Sequence, residues 1–329
     1  MKTRIAILAQ IFLLLLCTMH PLSISAQKID MPTFQTEKIE EDSLKKWTGG
    51  GSIGLDAMGV TMINPRVNEG GGRLNAGGLI GFWFNYQSKK WIWNNRGSLQ
   101  IGLSQDEDSD GWMKSTDAMM YNTQLGLQIK GKWYWALMVD MQTQLLSTYD
   151  GKYLKPISSD NNPRSLTARF FAPATVKFAP GVLWKPKPYF SVLMSAVSNK
   201  NIIVADDYLA SLVDTTTQQS VYGNNRFSNI SQQFGAQLRA DLHVSFANDR
   251  MLLNSTLDLY SNYLKSPENV AVEWFSSFDV LATEYLAISL RSDWYYDHNV
   301  LVRVGGSADD LGRRVSIRNT FLLKYSCNF

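Results

Sequence analysis

Apolar and polar residues alternate one for one along most of this chain, and a side-chain period of two admits strands and excludes helices. Leu74, Ala76, Gly78, Ile80, Phe82, Phe84 and Tyr86 share one face of a run, with Asn75, Gly77, Gly81 and Asn85 on the other. After a turn at 87–90 the alternation resumes, with Trp91, Trp93, Leu99, Ile101 and Leu103 against Asn94, Arg96, Ser98 and Gln100. The next pair repeats it through Met119, Tyr121, Leu125, Leu127 and Ile129, then Trp133, Trp135, Leu137, Val139 and Met141. The clearest run is Ile230, Phe234, Ala236, Leu238, Leu242, Val244 and Phe246.

The pattern predicts twelve strands, at 51–60, 73–86, 91–104, 117–129, 133–147, 169–184, 189–198, 230–246, 251–263, 270–281, 285–296 and 314–329. Five short turns (87–90, 130–132, 185–188, 247–250, 282–284) alternate with six longer connections (61–72, 105–116, 148–168, 199–229, 264–269, 297–313). An even number of strands with short turns at one end and long loops at the other is the plan of an all-β, antiparallel, up-and-down transmembrane barrel. It puts both ends of the barrel on the short-turn, periplasmic side.

A soluble sandwich or lipocalin-like barrel has the same period with its faces reversed, so alternation alone leaves both open. Aromatic placement separates them. Trp83, Phe84, Tyr86, Trp91, Trp93, Trp133, Tyr134, Trp135, Trp184 and Tyr189 crowd the short turns, together with Lys89, Lys90, Lys130, Lys132, Lys185 and Lys187. Rings at headgroup depth with lysines in the adjoining water are what a membrane barrel requires. The last strand adds an outward stripe, Phe321, Leu323, Tyr325, Cys327 and Phe329, which resembles the C-terminal aromatic signal read by barrel-assembly machinery.

The N-terminus agrees. Lys2 and Arg4 precede an apolar run, Ile5 to Leu16, and Ser23, Ser25 and Ala26 offer the small residues of a cleavage site. Residues 1–26 read as a Sec-type signal peptide too short to anchor the protein. Residues 27–46 are polar and charged and form a flexible periplasmic lead-in, leaving 47–329 as the barrel. Losing the signal leaves 30 basic against 29 acidic residues, which argues against nucleic acid as a partner, and leaves Cys327 alone, so no internal disulfide forms. No later stretch of 18 apolar residues exists, which excludes a helical membrane protein. The expected partners are outer-membrane lipid and the barrel-assembly machinery of a Gram-negative outer membrane; the oligomeric state is not legible.

Several strings resemble an uncharacterised Bacteroidetes outer-membrane family, domain of unknown function 3078. They are LDLYSNYLKSPENVAVEW from Leu257 to Trp274, Trp47 with the glycines at 49–51, GWMKSTD at 111–117, FAPA at 171–174, and Trp184 followed by Lys185 and Pro186. The resemblance implies an exported barrel and no known activity.

Chemistry-bearing constellations are few. Asp106, Asp108, Asp110 and Asp117 have the spacing of a calcium loop, closed by Asp where the motif has Glu, and with Lys114 at the ninth position. A solvated acidic loop is the bland alternative; no other cofactor is expected. His243 falls on an inward position beside Arg239 and Asp241, and His298 follows Asp297 in an outer loop. An outer-membrane hydrolase acting on lipid or peptide could use either histidine as base, with Ser289 or Ser292 as nucleophile, but no motif assembles the three groups catalysis needs. The inward face offers neutral amides in the first half: Asn75, Asn94, Gln100, Asn122, Gln124, Gln128, Gln142 and Gln144. In the second half it gathers Arg239, Asp241, Asp258, Glu273, Asp279, Arg291, Asp293, Arg318 and Lys324. Such a network either plugs the lumen by pairing or lines a narrow polar path, so the reading is a non-enzymatic barrel, either a narrow small-solute channel or a structural and interaction scaffold.

Overall fold

The computed structural model describes residues 47–65, 73–104, 111–158, 160–213, 220–222, 228–283, 285–304 and 310–328, without the side chains of 73–75 and Asn328. The predicted signal and lead-in, Asp106, Asp108, Asp110 and Phe329 lie outside these residues.

Twelve strands form one closed antiparallel barrel: β1 (Trp47–Ile63), β2 (Arg73–Gln87), β3 (Trp91–Ser104), β4 (Met113–Lys130), β5 (Trp133–Thr143), β6 (Ala174–Lys187), β7 (Phe190–Ile203), β8 (Ile230–Phe246), β9 (Met251–Asn262), β10 (Val270–Leu281), β11 (Leu286–Tyr296) and β12 (Ser316–Asn328). Each pairs with its neighbours in sequence. β1 closes on β12 in a register running from Ser52 opposite Asn328 to Ile63 opposite Ile317. Closure leaves no strand edge, as a sheet spanning hydrocarbon demands.

The faces are inverted relative to a water-soluble barrel. Trp135 on the outer face is 60% exposed and Leu290 54%, whereas Lys324 on the inner face is 2% exposed. The outside is therefore the apolar side, as a transmembrane barrel requires. At the short-turn end the Trp47 ring packs 5.0 Å from Tyr86 and 5.8 Å from Trp93, and Trp133 lies 5.9 Å from Trp184. A second girdle stands at the long-loop end, where Trp274 and Trp294 face each other at 5.7 Å. Two residues assigned to the first girdle do not belong to it. Trp83 shares the inner face of β2 with Leu79 and Asn85, and Tyr134 packs against buried residues of the lumen.

The long connections after β5 and β7 fold on each other. Ala172, Val204, Leu209 and Ala210 make a small core of their own beneath Leu166, Leu212 and Tyr222, and Arg169 pairs with Asp206 at 3.0 Å. Asp206 also caps the short helix Asp207–Ser211 by accepting from the Leu209 amide. The Tyr222 hydroxyl donates to the Thr167 carbonyl, and burial pushes its pKa up to about 12.

The lumen as candidate functional site

Every strand carries at least one buried inward residue. Toward the short turns, one side is apolar: Ile92, Ala136, Met138, Ala179, Leu183 and Leu193 from β3, β5, β6 and β7 pack together. The other side is polar and linked by hydrogen bonds across strands. The Lys324 ammonium donates to Asp279 at 2.8 Å, Ser277 donates to the other Asp279 oxygen, and Asn254 donates to Ser277 at 3.2 Å. His243 meets the Asn254 side-chain oxygen through Nδ1. Leu252, Ser289 and Leu322 fill between them, each no more than 1% exposed. A water-filled pore would leave these side chains wet; their burial makes this layer a floor.

Above the floor, ion pairs run as chords between strands that are not neighbours. Arg239 on β8 reaches Asp140 on β5 at 3.3 Å while its Nε bonds Asp241 on its own strand at 3.2 Å. Lys177 on β6 reaches Asp258 on β9 at 3.5 Å and Glu273 on β10 at 3.8 Å. Gln237 donates to both Asp258 oxygens and Thr256 donates to Asp241, so the carboxylates are held by several donors each. Buried charges persist only when paired and hydrogen-bonded in this way. Toward the outer mouth, Arg318 pairs with Asp293 at 2.7 Å on half-exposed side chains.

Over the chords lies a cavity of about 600 Å³ whose lining runs from mid-barrel, at Leu79 and Arg291, to the long-loop ends of the strands, at Val60 and Thr116. Lys152 from the connection after β5 reaches it from above. Its walls differ. Met58, Met62, Leu79, Met120 and Leu322 make one side apolar, and Lys177, Arg239, Arg291, Arg318 and their acidic partners make the other charged. The shape suits a small amphipathic molecule, and its volume falls within the range of about 300–1,000 Å³ usual for such sites.

The predicted lumen residues Arg239, Asp241, His243, Asp258, Glu273, Asp279, Arg291, Asp293, Arg318 and Lys324 all face inward, divided between the floor, the chords and the mouth. The division into a neutral first half and a charged second half needs correction. Asp56, Lys114, Asp140 and Lys177 come from the first half, and Asp56 accepts from Gln100 at 2.7 Å. Inward parity in β5 and β6 was the signal for Asp140 and Lys177. The methionine wall had none, because β1 carries apolar residues on both faces.

Of the four residues of the calcium spacing, only Asp117 lies among the described residues. Its two oxygens accept from the Leu145 and Leu146 amides, each at 2.9 Å, and Lys114 donates to it at 3.1 Å. The two candidate serines of the hydrolase reading lie on opposite faces. Ser289 lies in the floor, whereas Ser292 faces the opposite side of β11, donating to Asn319 at 2.7 Å. Asp297 accepts from the Asn299 amide at 2.8 Å, and the His298 carbonyl takes Arg313. The stripe Phe321, Leu323, Tyr325 and Cys327 faces outward on β12, with Tyr325 against Tyr285.

A family model described as "Protein of unknown function (DUF3078)" matches residues 61–149, from the end of β1 to just past β5. The GWMKSTD string lies inside this stretch, and the string from Leu257 to Trp274 lies outside it. No curated protein matches the chain. Among solved structures, the translocator domain of autotransporter NalP from Neisseria meningitidis is 8% identical over 84% of this chain and 88% of its own, with a TM-score of 0.37. The COG4313 outer membrane channel from Pseudomonas putida F1 is 10% identical over 88% of this chain and 100% of its own, at 0.38. The anion-selective porin from Comamonas acidovorans is 6% identical over 85% and 99%, at 0.35.

Proposed function

We propose that the protein is a closed barrel of a Gram-negative outer membrane, exported by the signal 1–26 and inserted through the stripe that ends at Phe329. There it serves as a structural and recognition scaffold with a pocket open to the cell exterior, not as a conducting channel. The observation that carries this reading is the floor: inward residues around the barrel are withdrawn from solvent, among them Ser52 on β1, Met138 on β5 and Ser326 on β12. The chords above it support the same reading, since Arg239–Asp140 and Lys177–Glu273 occupy the space a solute would cross. The test is single-channel recording of the reconstituted barrel in planar bilayers. The expected record is flat at either polarity in molar KCl, and stable, uniform current steps would overturn the scaffold reading in favour of a narrow channel.

A further inference from the structure

The outer wall is dented where β6 and β7 part. Their pairing runs from Ala174 to Phe178, stops, and resumes at Val182 opposite Met194. Side chains take over part of the missing pairing. Pro180 has no amide hydrogen, its carbonyl accepts from the Ser195 hydroxyl at 2.6 Å, and the Ala196 carbonyl accepts from the Tyr263 hydroxyl at 2.9 Å. At Gly181 a Cβ would stand 2.1 Å from the Met194 carbonyl oxygen, so only glycine lets the backbones come this close. The result is a lipid-facing groove of about 600 Å³, lined by Trp91, Leu125, Leu137, Pro180, Ala196 and Val197. It lies in the half of the belt nearer the short turns, because Trp91 and Trp135 begin their strands there.

A second, independent feature lies directly beneath. The three short turns under these strands carry exposed Lys89, Lys90, Lys130, Lys132 and Lys187, with no acidic residue between Gln87 and Trp91, Lys130 and Trp133, or Lys185 and Phe190. The second and third turns touch, through the Lys185 amide and the Lys132 carbonyl at 2.9 Å. The other two short turns differ in carrying Asp249 and Glu284.

We propose that the groove and these lysines together hold one anionic phospholipid of the periplasmic leaflet, an acyl chain lying along Pro180 and Ala196 and the phosphate among the lysines. The pieces match in depth and chemistry. A rigid dent in a barrel wall is filled by a chain that keeps dispersion contact on all sides, and lysines at the interface reach headgroup phosphates with their stems still in the apolar zone. This site does not depend on whether the lumen conducts.

The experiment is native mass spectrometry of the full barrel, extracted in a neutral detergent and mixed with phosphatidylglycerol or phosphatidylcholine of identical chains. One phosphatidylglycerol is expected to stay bound with roughly tenfold preference, as several interfacial lysines imply. Replacing Lys90, Lys132 and Lys187 by Ser should reduce retention to the phosphatidylcholine level, and Ala196→Leu should reduce retention of both lipids by filling the dent. Heat-modifiable gel mobility confirms that each variant is folded. Equal retention of the two lipids, or retention unchanged in both variants, overturns the proposal. So does complete displacement by inorganic phosphate, which would leave an anion site without a chain site.

Discussion

Asp117 shows how one side chain joins a loop to the barrel wall. It stands near the outer end of β4, and its carboxylate takes the two amides that follow β5, Leu145 and Leu146, while holding Lys114. Lys114 in turn donates to Gln144 at 2.8 Å. Hydrogen bonds to a charged acceptor are worth about 1.5–3 kcal/mol each, so their loss should free the connection 144–173 without opening the barrel. In Asp117→Ala, limited trypsinolysis in proteoliposomes should cut after Lys152 or Arg164 faster than in the parent protein. The gel shift on boiling should be retained. Identical cleavage of parent and variant would show that the anchor is idle, and protection of the parent that appears only with added calcium would return Asp117 to the cation loop suggested by its spacing. That spacing was legible, but the loop amides that occupy Asp117 come from nearly thirty residues further on, and no local pattern announces them.

At the scale of the strand, period two located all twelve elements because the outer face must be apolar over its whole span in hydrocarbon. It failed where the backbone leaves the ladder. β5 ends at Thr143 and not at 147, since Asp117 draws off the next amides. β6 begins at Ala174 and not at 169, after Phe171 has turned through a positive φ of 56°. β7 runs on to Ile203 through an irregularity after which the inward positions change from odd to even numbers, so a strict alternation reads it as ending at 198. β12 carries the tightest consequence of closure: its Lys324 sits 2% exposed against Asp279 of β10, two strands away. Lys324→Met leaves a buried carboxylate without its cation and should cost about 3–5 kcal/mol, whereas Lys324→Met with Asp279→Leu should recover most of it. Urea titration followed by heat-modifiable mobility gives the four midpoints of the cycle; a double variant no more stable than Lys324→Met would mean that the pair is not the coupling unit.

For the molecule as a whole, the question is what a twelve-stranded wall does with its interior. In the proposed reading the lumen is closed twice, by chords of opposite charge and by the floor beneath them, and the two closures have different physics. The chords are paired ions in a wet upper cavity, so their removal enlarges the pocket but leaves Ile92, Met138, Leu183 and Leu193 packed below. The floor, in the proposed reading, seals the lumen without help from the chords. Truncating it costs stability through cavities of a few kcal/mol per large side chain, yet the chords would still obstruct ions. Conductance should therefore depend on both together. Arg239→Ala with Lys177→Ala should remain silent in planar bilayers, and Met138→Ala with Leu183→Ala and Leu193→Ala should give at most rare, brief openings. The fivefold variant should give sustained ohmic steps, with sensitivity of the host cells to bulky antibiotics as the parallel readout. Steady current from the chord variant alone would show that the floor is no seal, and the outward-opening pocket would then have to be redrawn as the upper half of a gated channel.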